Sequence, residues 1–207
     1  FIDWKNLQLS VPDTHPTPPN VQDPNYTGNV KGATSKGVEL EAVMLFTDRL
    51  RGNLAWSYAD STFKSGVVDT AFGRLCETSS TTPACVFLAR SAALPLGGSP
   101  IGGNALPRSP KTKIGVGLEY NMPVRSWNLA LRGDASYQAK YFVENLNVAY
   151  IPSRTLLNLN VALSDPDSTW NVSLWGKNVT DEVYVSSSFA VSVVNQYIPS
   201  FGDGRTF

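Results

Sequence analysis

The sequence contains few of the residues on which most soluble enzymes and nucleic-acid-binding proteins depend. Its 207 residues include one histidine and two cysteines, and charged residues make up only 16% of the total. The 17 basic residues are balanced by 17 acidic residues, so the formal net charge is zero. Nucleic acid is therefore not an expected partner, because phosphate binding requires a basic surface.

Long hydrophobic runs are also missing. No stretch of 18 apolar residues occurs, which excludes a transmembrane helix. A membrane-spanning β-barrel stays open, because each of its strands gives a much weaker signal than a helix does. Aromatic residues, in contrast, are plentiful, with five Trp, eight Tyr and nine Phe.

The clearest positive feature is strict alternation in residues 127–141, "WNLALRGDASYQAKY". Apolar residues such as Leu129 and Leu131 occupy one side, and polar residues such as Arg132 and Asp134 occupy the other. A period of two predicts a β-strand with one apolar and one polar face. The pattern recurs in residues 36–46, 52–63, 111–120, 155–163 and 170–178. The opening residues 1–11 also read as a strand, with a phase slip between Trp4 and Leu7 that a bulge would explain.

The connections between these strands differ by length in strict order. Short connections are predicted at 47–51, 122–126 and 165–168, and long ones at 12–31, 66–108, 142–153 and 179–203. If consecutive strands are antiparallel neighbours, all short turns lie at one end of the sheet and all long loops at the other. We expect the 14 prolines in connections or at a strand's first residue, because proline cannot donate to a β-ladder. The sequence therefore predicts an all-β, antiparallel, up-and-down sheet.

The spacing of aromatic residues indicates the medium around this sheet. Ten residues separate Trp127 from Tyr137 on the same face, which corresponds to roughly 25 Å of height at a tilt of about 40°. That height matches the apolar band of a transmembrane barrel. One aromatic girdle would consist of Phe46, Tyr120, Trp127 and Trp170 at the short-turn end, and the other would include Tyr137 and Tyr141. A soluble β-sandwich usually has shorter strands and loops of mixed length at both ends.

Several motifs resemble those of one family. "NVTDEVY" is similar to the Asn-apolar-Thr-Asp-x-x-Tyr run of TonB-dependent outer-membrane receptors, through Asn178, Thr180, Asp181 and Tyr184. "GDGRTF" resembles the family's Pro-Arg-Thr-Phe entry to the final strand, through Arg205, Thr206 and Phe207, with Gly204 in place of the usual proline. "ATSKGVELE" (33–41) and "NALPRSPKTKIGVGLEY" (104–120) resemble strand entries, and all four occur in the family's order.

The resemblance implies a transmembrane β-barrel, with residues 1–207 as the C-terminal portion of a 22-stranded receptor barrel. They would be about its last eight strands, without the plug domain and the N-terminal strands. It also implies an active transport receptor in the bacterial outer membrane, not an enzyme, that takes up a scarce bulky nutrient, most often a ferric siderophore. The implied partners are the lipid bilayer, lipopolysaccharide, and TonB through the plug domain. No cofactor or metal is implied.

Two alternatives to a receptor stay open at this point. One is a passive or structural outer-membrane barrel, such as a porin or a self-contained, eight-stranded, adhesin-like barrel. The other is a secreted β-sandwich that binds carbohydrate.

The longest predicted connection, residues 66–108, is the best candidate for ligand capture, because loops above 12–15 residues are usually functional or disordered. Its Phe72, Arg74, Phe87 and Arg90 would meet an anionic or aromatic ligand, or else pack against neighbouring loops. The same connection holds Cys76 and Cys85, which would form a local disulfide in an oxidising compartment or stay free thiols. The lone His15 is expected in a solvated loop.

Two glutamates, Glu39 and Glu41, share one strand face about 7 Å apart. Paired carboxylates at such a distance suit glycoside cleavage. Charged residues are, however, routine on the inner wall of a membrane barrel. We therefore assign to the lumen a set of polar residues that also includes these two: Glu39, Glu41, Arg132, Asp134, Gln138 and Lys140.

Overall fold

The computed structural model describes residues 1–12, 25–69, 99–167, 169–191 and 196–207. Every regular element in these ranges is a β-strand, and none of them contains a helix long and apolar enough to cross a membrane. In chain order the strands are β1 (Ile2–Trp4), β2 (Leu7–Pro12), β3 (Asn25–Val30), β4 (Ala33–Leu45), β5 (Leu50–Phe63), β6 (Val68–Asp69), β7 (Ser99–Pro100), β8 (Thr112–Val124), β9 (Trp127–Gln138), β10 (Tyr141–Phe142), β11 (Tyr150–Ile151), β12 (Arg154–Ser164), β13 (Asn171–Gly176), β14 (Val185–Val191) and β15 (Gln196–Phe201).

Seven of these strands form one antiparallel sheet, which we call the wall. Their order in space is β1-β4-β5-β8-β9-β12-β13, so each wall strand lies beside the next wall strand in the chain. A single bridge between Lys177 and Thr206 places the residues near 206 beyond β13, where an eighth strand would start. The predicted all-β, antiparallel, up-and-down architecture is confirmed.

The register of the wall keeps most large apolar residues of β8, β9, β12 and β13 on one face, whereas Val43 and Leu45 of β4 and Trp175 of β13 lie on the other. Tyr120 of β8 is opposite Leu131 of β9, which is opposite Val161 of β12, which in turn is opposite Leu174 of β13. These side chains are exposed, up to 74% for Leu174. A face of large exposed apolar residues is typical of a sheet whose outer surroundings are not water.

The long connections hold short hairpins, and of their strands the sequence had predicted only β2, within residues 1–11. The pairs β2–β3, β6–β7, β10–β11 and β14–β15 all lie at the long-loop end of the wall. We call the described residues of these connections the rim. The sequence missed the hairpins because their strands are short and are flanked by polar, Gly- and Pro-rich residues.

The first hairpin continues the wall beyond a bend. Trp4 of β1 is opposite Ala33 of β4, and beyond the bend Leu7 of β2 is opposite Val30 of β3. At the bend Gly32 has φ +133°, and a Cβ there would overlap the carbonyl oxygen of Trp4. Glycine alone tolerates both conditions. The phase slip after Trp4 is therefore a bend between two strands and not the bulge that the sequence had suggested.

The buried hydrophobic cluster lies where the rim meets the wall. It consists of Ala33, Phe63, Val67 and Ile101, each at most 2% exposed. Trp4, Leu7, Leu106 and Leu146 pack around it. A small core shared by the two regions therefore packs the rim onto the end of the wall.

Strand ends and prolines differ from the sequence expectation. β9 ends at Gln138 and has 12 residues, not 15. Pro123 lies inside β8 opposite Asn128, and Pro12, Pro100 and Pro199 also lie in strands, so the expected placement of proline was wrong at these positions. The pairing of β5 with β8 stops at Tyr120, so Pro123 has no neighbour on that side to which its missing N–H would donate.

Candidate functional site

The polar face of the wall carries an ionic network near the short-turn end. Arg51, Glu119 and Arg132 are direct cross-strand neighbours on β5, β8 and β9. Glu119 accepts a hydrogen bond from Arg51 Nη2 at 2.9 Å and one from Arg132 Nη1 at 3.4 Å. Arg132 also forms a bidentate pair with Asp134, with Nε to Oδ2 at 2.8 Å and Nη2 to Oδ1 at 2.5 Å. The network joins three strands.

A glycine makes space for this network. At Gly117 a Cβ would overlap Asn53 Oδ1 and lie 2.7 Å from Asp134 Oδ1, so a larger residue would displace the polar groups. The sequence had assigned Arg132 and Asp134 to this face but had missed Arg51 as their neighbour. Arg51 had been placed in a turn, whereas β5 starts one residue before it.

A groove of about 440 Å³ occupies the same face nearer the rim. The groove is deep because three neighbouring residues of its floor have small side chains or none. They are Ala55 on β5, Gly115 on β8 and Ser136 on β9, which lie opposite one another. Besides Ser136, its polar lining includes Glu39, Glu41, Ser57, Lys113, Gln138 and Arg154. Acidic groups thus come from β4, whereas the hydrogen-bond donors Lys113, Gln138 and Arg154 come from β8, β9 and β12.

The structure brings together most of the residues assigned to the polar face. Glu39, Glu41 and Gln138 line the groove, and Arg132 and Asp134 belong to the network. Lys140, by contrast, lies beyond the end of β9, with Nζ 5.5 Å from the ring centroid of Tyr150. It therefore contacts the rim.

The aromatic residues of the short-turn end lie at the edge of the wall with exposed rings. Phe46, Tyr120, Trp127 and Trp170 are 38–53% exposed, and the last two form an edge-to-face pair with centroids 5.1 Å apart. At the other end Tyr137 is 37% exposed on the apolar face. Tyr141 differs, because it lies in β10 and its hydroxyl donates to the carbonyl of Ser186 at 3.5 Å.

Asparagine side chains tie the rim hairpins to one another. Asn147, with φ 60°, accepts from the Ala105 N–H at 2.7 Å and donates to the Ala105 carbonyl at 3.0 Å, as a neighbouring strand would. Asn145 donates to Asp69 Oδ2 at 2.8 Å. The Glu144 carboxylate accepts three backbone N–H groups of its own loop, at 2.5–3.0 Å. Burial and this carboxylate raise the pKa of Tyr197 to about 12, so its hydroxyl stays neutral.

Seven residues that the sequence analysis had singled out lie outside the described residues. They are His15, Phe72, Arg74, Cys76, Cys85, Phe87 and Arg90.

The "NVTDEVY" residues form a hydrogen-bonded segment at the end of β13, which we call the clasp. Asn178 is only 4% exposed and adopts φ 48°. Its amide donates to the carbonyls of Glu182 at 2.9 Å and Asp203 at 3.2 Å, and its Oδ1 accepts the Glu182 N–H at 2.9 Å. A buried asparagine with every amide group paired fixes the chain where it leaves the wall.

The other motif residues complete this clasp. Asp181 accepts the Arg205 N–H at 3.1 Å, and Lys177 and Thr206 exchange two backbone hydrogen bonds at 2.9 and 3.1 Å. Tyr184 lies beneath the guanidinium of Arg154, whose Cζ is 4.6 Å from the ring centroid. These contacts connect the motif to the groove.

The sequence identifies the family to which this architecture belongs. The model of the family described as "TonB dependent receptor-like, beta-barrel" matches residues 1–179. The chain therefore belongs to the β-barrel family of TonB-dependent receptors. Members of this family are transporters of the bacterial outer membrane and not enzymes. No curated protein sequence matches the chain.

Three solved structures share this fold. The chain is similar to the ferric yersiniabactin uptake receptor FyuA from Yersinia pestis, with a TM-score of 0.62, 17% identity, and coverage of 87% of this chain and 23% of that one. It is also similar to the siderophore receptor PiuA from Acinetobacter baumannii (TM-score 0.63, 16% identity, coverage 98% and 23%). A third is BauA, the ferric preacinetobactin receptor from the same organism (TM-score 0.57, 17% identity, coverage 97% and 24%). The chain spans about a quarter of the length of these receptors.

The family determines how the two faces of the wall are assigned. In an outer-membrane barrel the apolar face contacts lipid and the polar face contacts the lumen. Within the described ranges, no three His, Cys, Asp or Glu residues are placed to hold a metal ion.

Proposed function

We propose that this chain forms part of the barrel of a receptor that imports a ferric siderophore, with energy supplied by TonB through a plug domain. The observation that carries the proposal is the two-faced wall. It has an exposed apolar face, and a polar face with a groove at the end nearer the long loops. Three structures with the same fold are receptors for siderophores or their ferric complexes by name, which supports this ligand class.

The chain would occupy the C-terminal portion of the receptor barrel. Its polar face, with Glu39, Glu41, Arg132, Asp134 and Gln138, would face the plug or the passing ligand. The connection that contains Phe72, Arg74, Phe87 and Arg90 would capture the ligand outside, with Cys76 and Cys85 linked as a disulfide. Lipid and lipopolysaccharide would surround the apolar face.

The test is uptake of ⁵⁵Fe-siderophore complexes by iron-starved cells that express the intact receptor as their only one. We expect accumulation that requires TonB and stops when a protonophore removes the proton gradient. Cells that lack the receptor serve as the control. A passive pore would instead admit small sugars independently of TonB, and that result would contradict the proposal.

A further inference from the structure

We infer that Lys113, Gln138 and Arg154, which we call the donor row, bind an oxyanion such as a carboxylate on a free ligand. The inference deepens the proposed function, on which it rests for the identity of the ligand, because it makes that ligand anionic. The donor row crosses the groove of the polar face at the end nearer the rim.

The three residues of the donor row are consecutive cross-strand neighbours. Lys113 of β8 is opposite Gln138 of β9, and Gln138 is opposite Arg154 of β12. Adjacent strands lie about 4.8 Å apart, so the two cationic residues flank the amide at a separation of roughly 10 Å. This spacing allows one carboxylate to contact the amide and either cation, or two carboxylates to contact both cations.

Two nitrogen atoms of the donor row lack an acceptor. Gln138 Nε2 and Arg154 Nη1 are shielded from solvent and have no hydrogen-bond partner among the described residues. Shielded donors without partners are rare and costly, and charged ones especially so. Tyr184 beneath the guanidinium holds Arg154 in place. An oxyanion in the groove would supply the missing acceptors with charge-assisted hydrogen bonds.

The acidic residues of the groove do not lie on a strand adjacent to the donor row. Glu39 and Glu41 line the opposite side of the groove on β4, two strands from Lys113 and four from Arg154. Asp134, on the same face, is already paired with Arg132. A further cationic side chain, Arg108, lines the neighbouring cavity together with Lys113 and Gln138.

A second cavity links the donor row to the rim. It has about 260 Å³, and its lining includes Lys113 and Gln138 together with Arg108, Tyr141, Ser187 and Ser188. Because the two cavities share Lys113 and Gln138, the donor row lies between the rim and the groove. A ligand that passes from the loops to the lumen wall would meet Arg108 first and the donor row next.

The test is calorimetric titration of the intact, detergent-purified receptor with citrate, a tricarboxylate probe. Replacing both cations (Lys113→Gln with Arg154→Gln) should raise the Kd for citrate at least tenfold. The matched control is Lys111→Gln, because it removes a nearby cation whose charge is already paired with Asp60. It should change the Kd less than twofold. Gln138→Met, which removes the amide but no charge, should raise the Kd three- to tenfold and serves if the double variant does not fold.

Three results would overturn the inference. The first is no citrate binding by the wild type at millimolar concentration. The second is equal Kd values for the wild type and the donor-row variants. The third is an increase in Kd for Lys111→Gln as large as that for the double donor-row variant. The first would mean that another polypeptide segment occupies the donor row. Citrate binding does not depend on transport. A receptor that binds citrate but imports no iron would refute the proposed function alone, and one that imports only neutral ferric complexes would refute only the inference.

Discussion

The wall and the rim of this protein place their apolar residues in opposite ways. In the wall, large apolar side chains such as Leu159 and Leu174 are among the exposed ones, and ion pairs occupy the inner face. Where the rim meets the wall, the apolar residues Phe63, Val67 and Ile101 are buried, and within the rim polar groups tie the hairpins together. Both regions belong to one continuous chain.

The difference follows from the two media that the regions meet. The rim lies in water, so the hydrophobic effect gathers its apolar residues into a core. The outside of the wall lies in lipid, which offers no such driving force, so the backbone ladder has the main role in holding the strands together. A substitution that is costly in one region should therefore be mild in the other.

The largest contrast is expected for loss of a large apolar side chain. Phe63→Ala removes a ring that is 2% exposed, at a cost of about 3–5 kcal/mol. The rim should then open locally, and exchange of the amide hydrogens of Lys64, Ile101 and Gly103 should accelerate about 100-fold or more. The control, Leu159→Ala on the lipid face, should leave exchange in the wall within about threefold. Equal effects at the two sites would show that the cluster between rim and wall does not hold the rim in place.

A charge introduced on the lipid face should have the next largest effect. Leu131→Arg places a cation near the middle of the apolar band and should destabilise the barrel by roughly 2–4 kcal/mol. Ala130→Arg introduces the same side chain one residue away, on the polar face, and should cost less than about 1 kcal/mol. Urea titrations of receptor folded into phospholipid vesicles measure both. If the two costs were reversed, the assignment of the faces would be wrong.

The smallest effect is expected at the short turn between β12 and β13. The Thr169 hydroxyl and the Trp170 N–H both donate to Asp165, and they hold the pKa of this carboxyl below its ordinary value of 3.8. Because the folded pKa is the lower one, the stabilisation is complete above the ordinary value and is lost as the pH falls through the folded pKa.

Urea midpoints of wild type and Asp165→Asn measure this effect. The wild type should be slightly more stable at pH 7, and the difference should shrink below about pH 4. A difference that does not change with pH would mean that the carboxylate charge has no part in fixing the turn.

The wall could be predicted from the sequence because each strand carries its own signal. Alternation alone located β4, β5, β8, β9 and β12, usually within three residues of their ends. Which residues share a face was also predictable, because side chains alternate between the two faces along a strand. The contrast between short and long connections then indicated which end of the sheet carries the short turns and which carries the long loops.

The rest depended on contacts between segments far apart in the chain. Nothing local indicates that Asn147 replaces a strand neighbour for Ala105, or that Asn145 reaches Asp69. The donor row escaped notice for the same reason. Gln138 had been assigned to the lumen, but its neighbours Lys113 and Arg154 become visible only when the register of three strands is known.

The register of the wall also restricts which insertions and deletions the gene can tolerate. Lipid-facing positions are even-numbered in β4, β5 and β8, odd-numbered in β9 and β12, and even-numbered again in β13. Loss of one codon inside a wall strand would invert every later residue of that strand, whereas loss of two would restore the pattern. Insertions and deletions in the wall strands should therefore be retained only when they add or remove an even number of residues. The rim, with no such alternation to preserve, is where single-codon insertions and deletions should accumulate as receptors of this kind diverge.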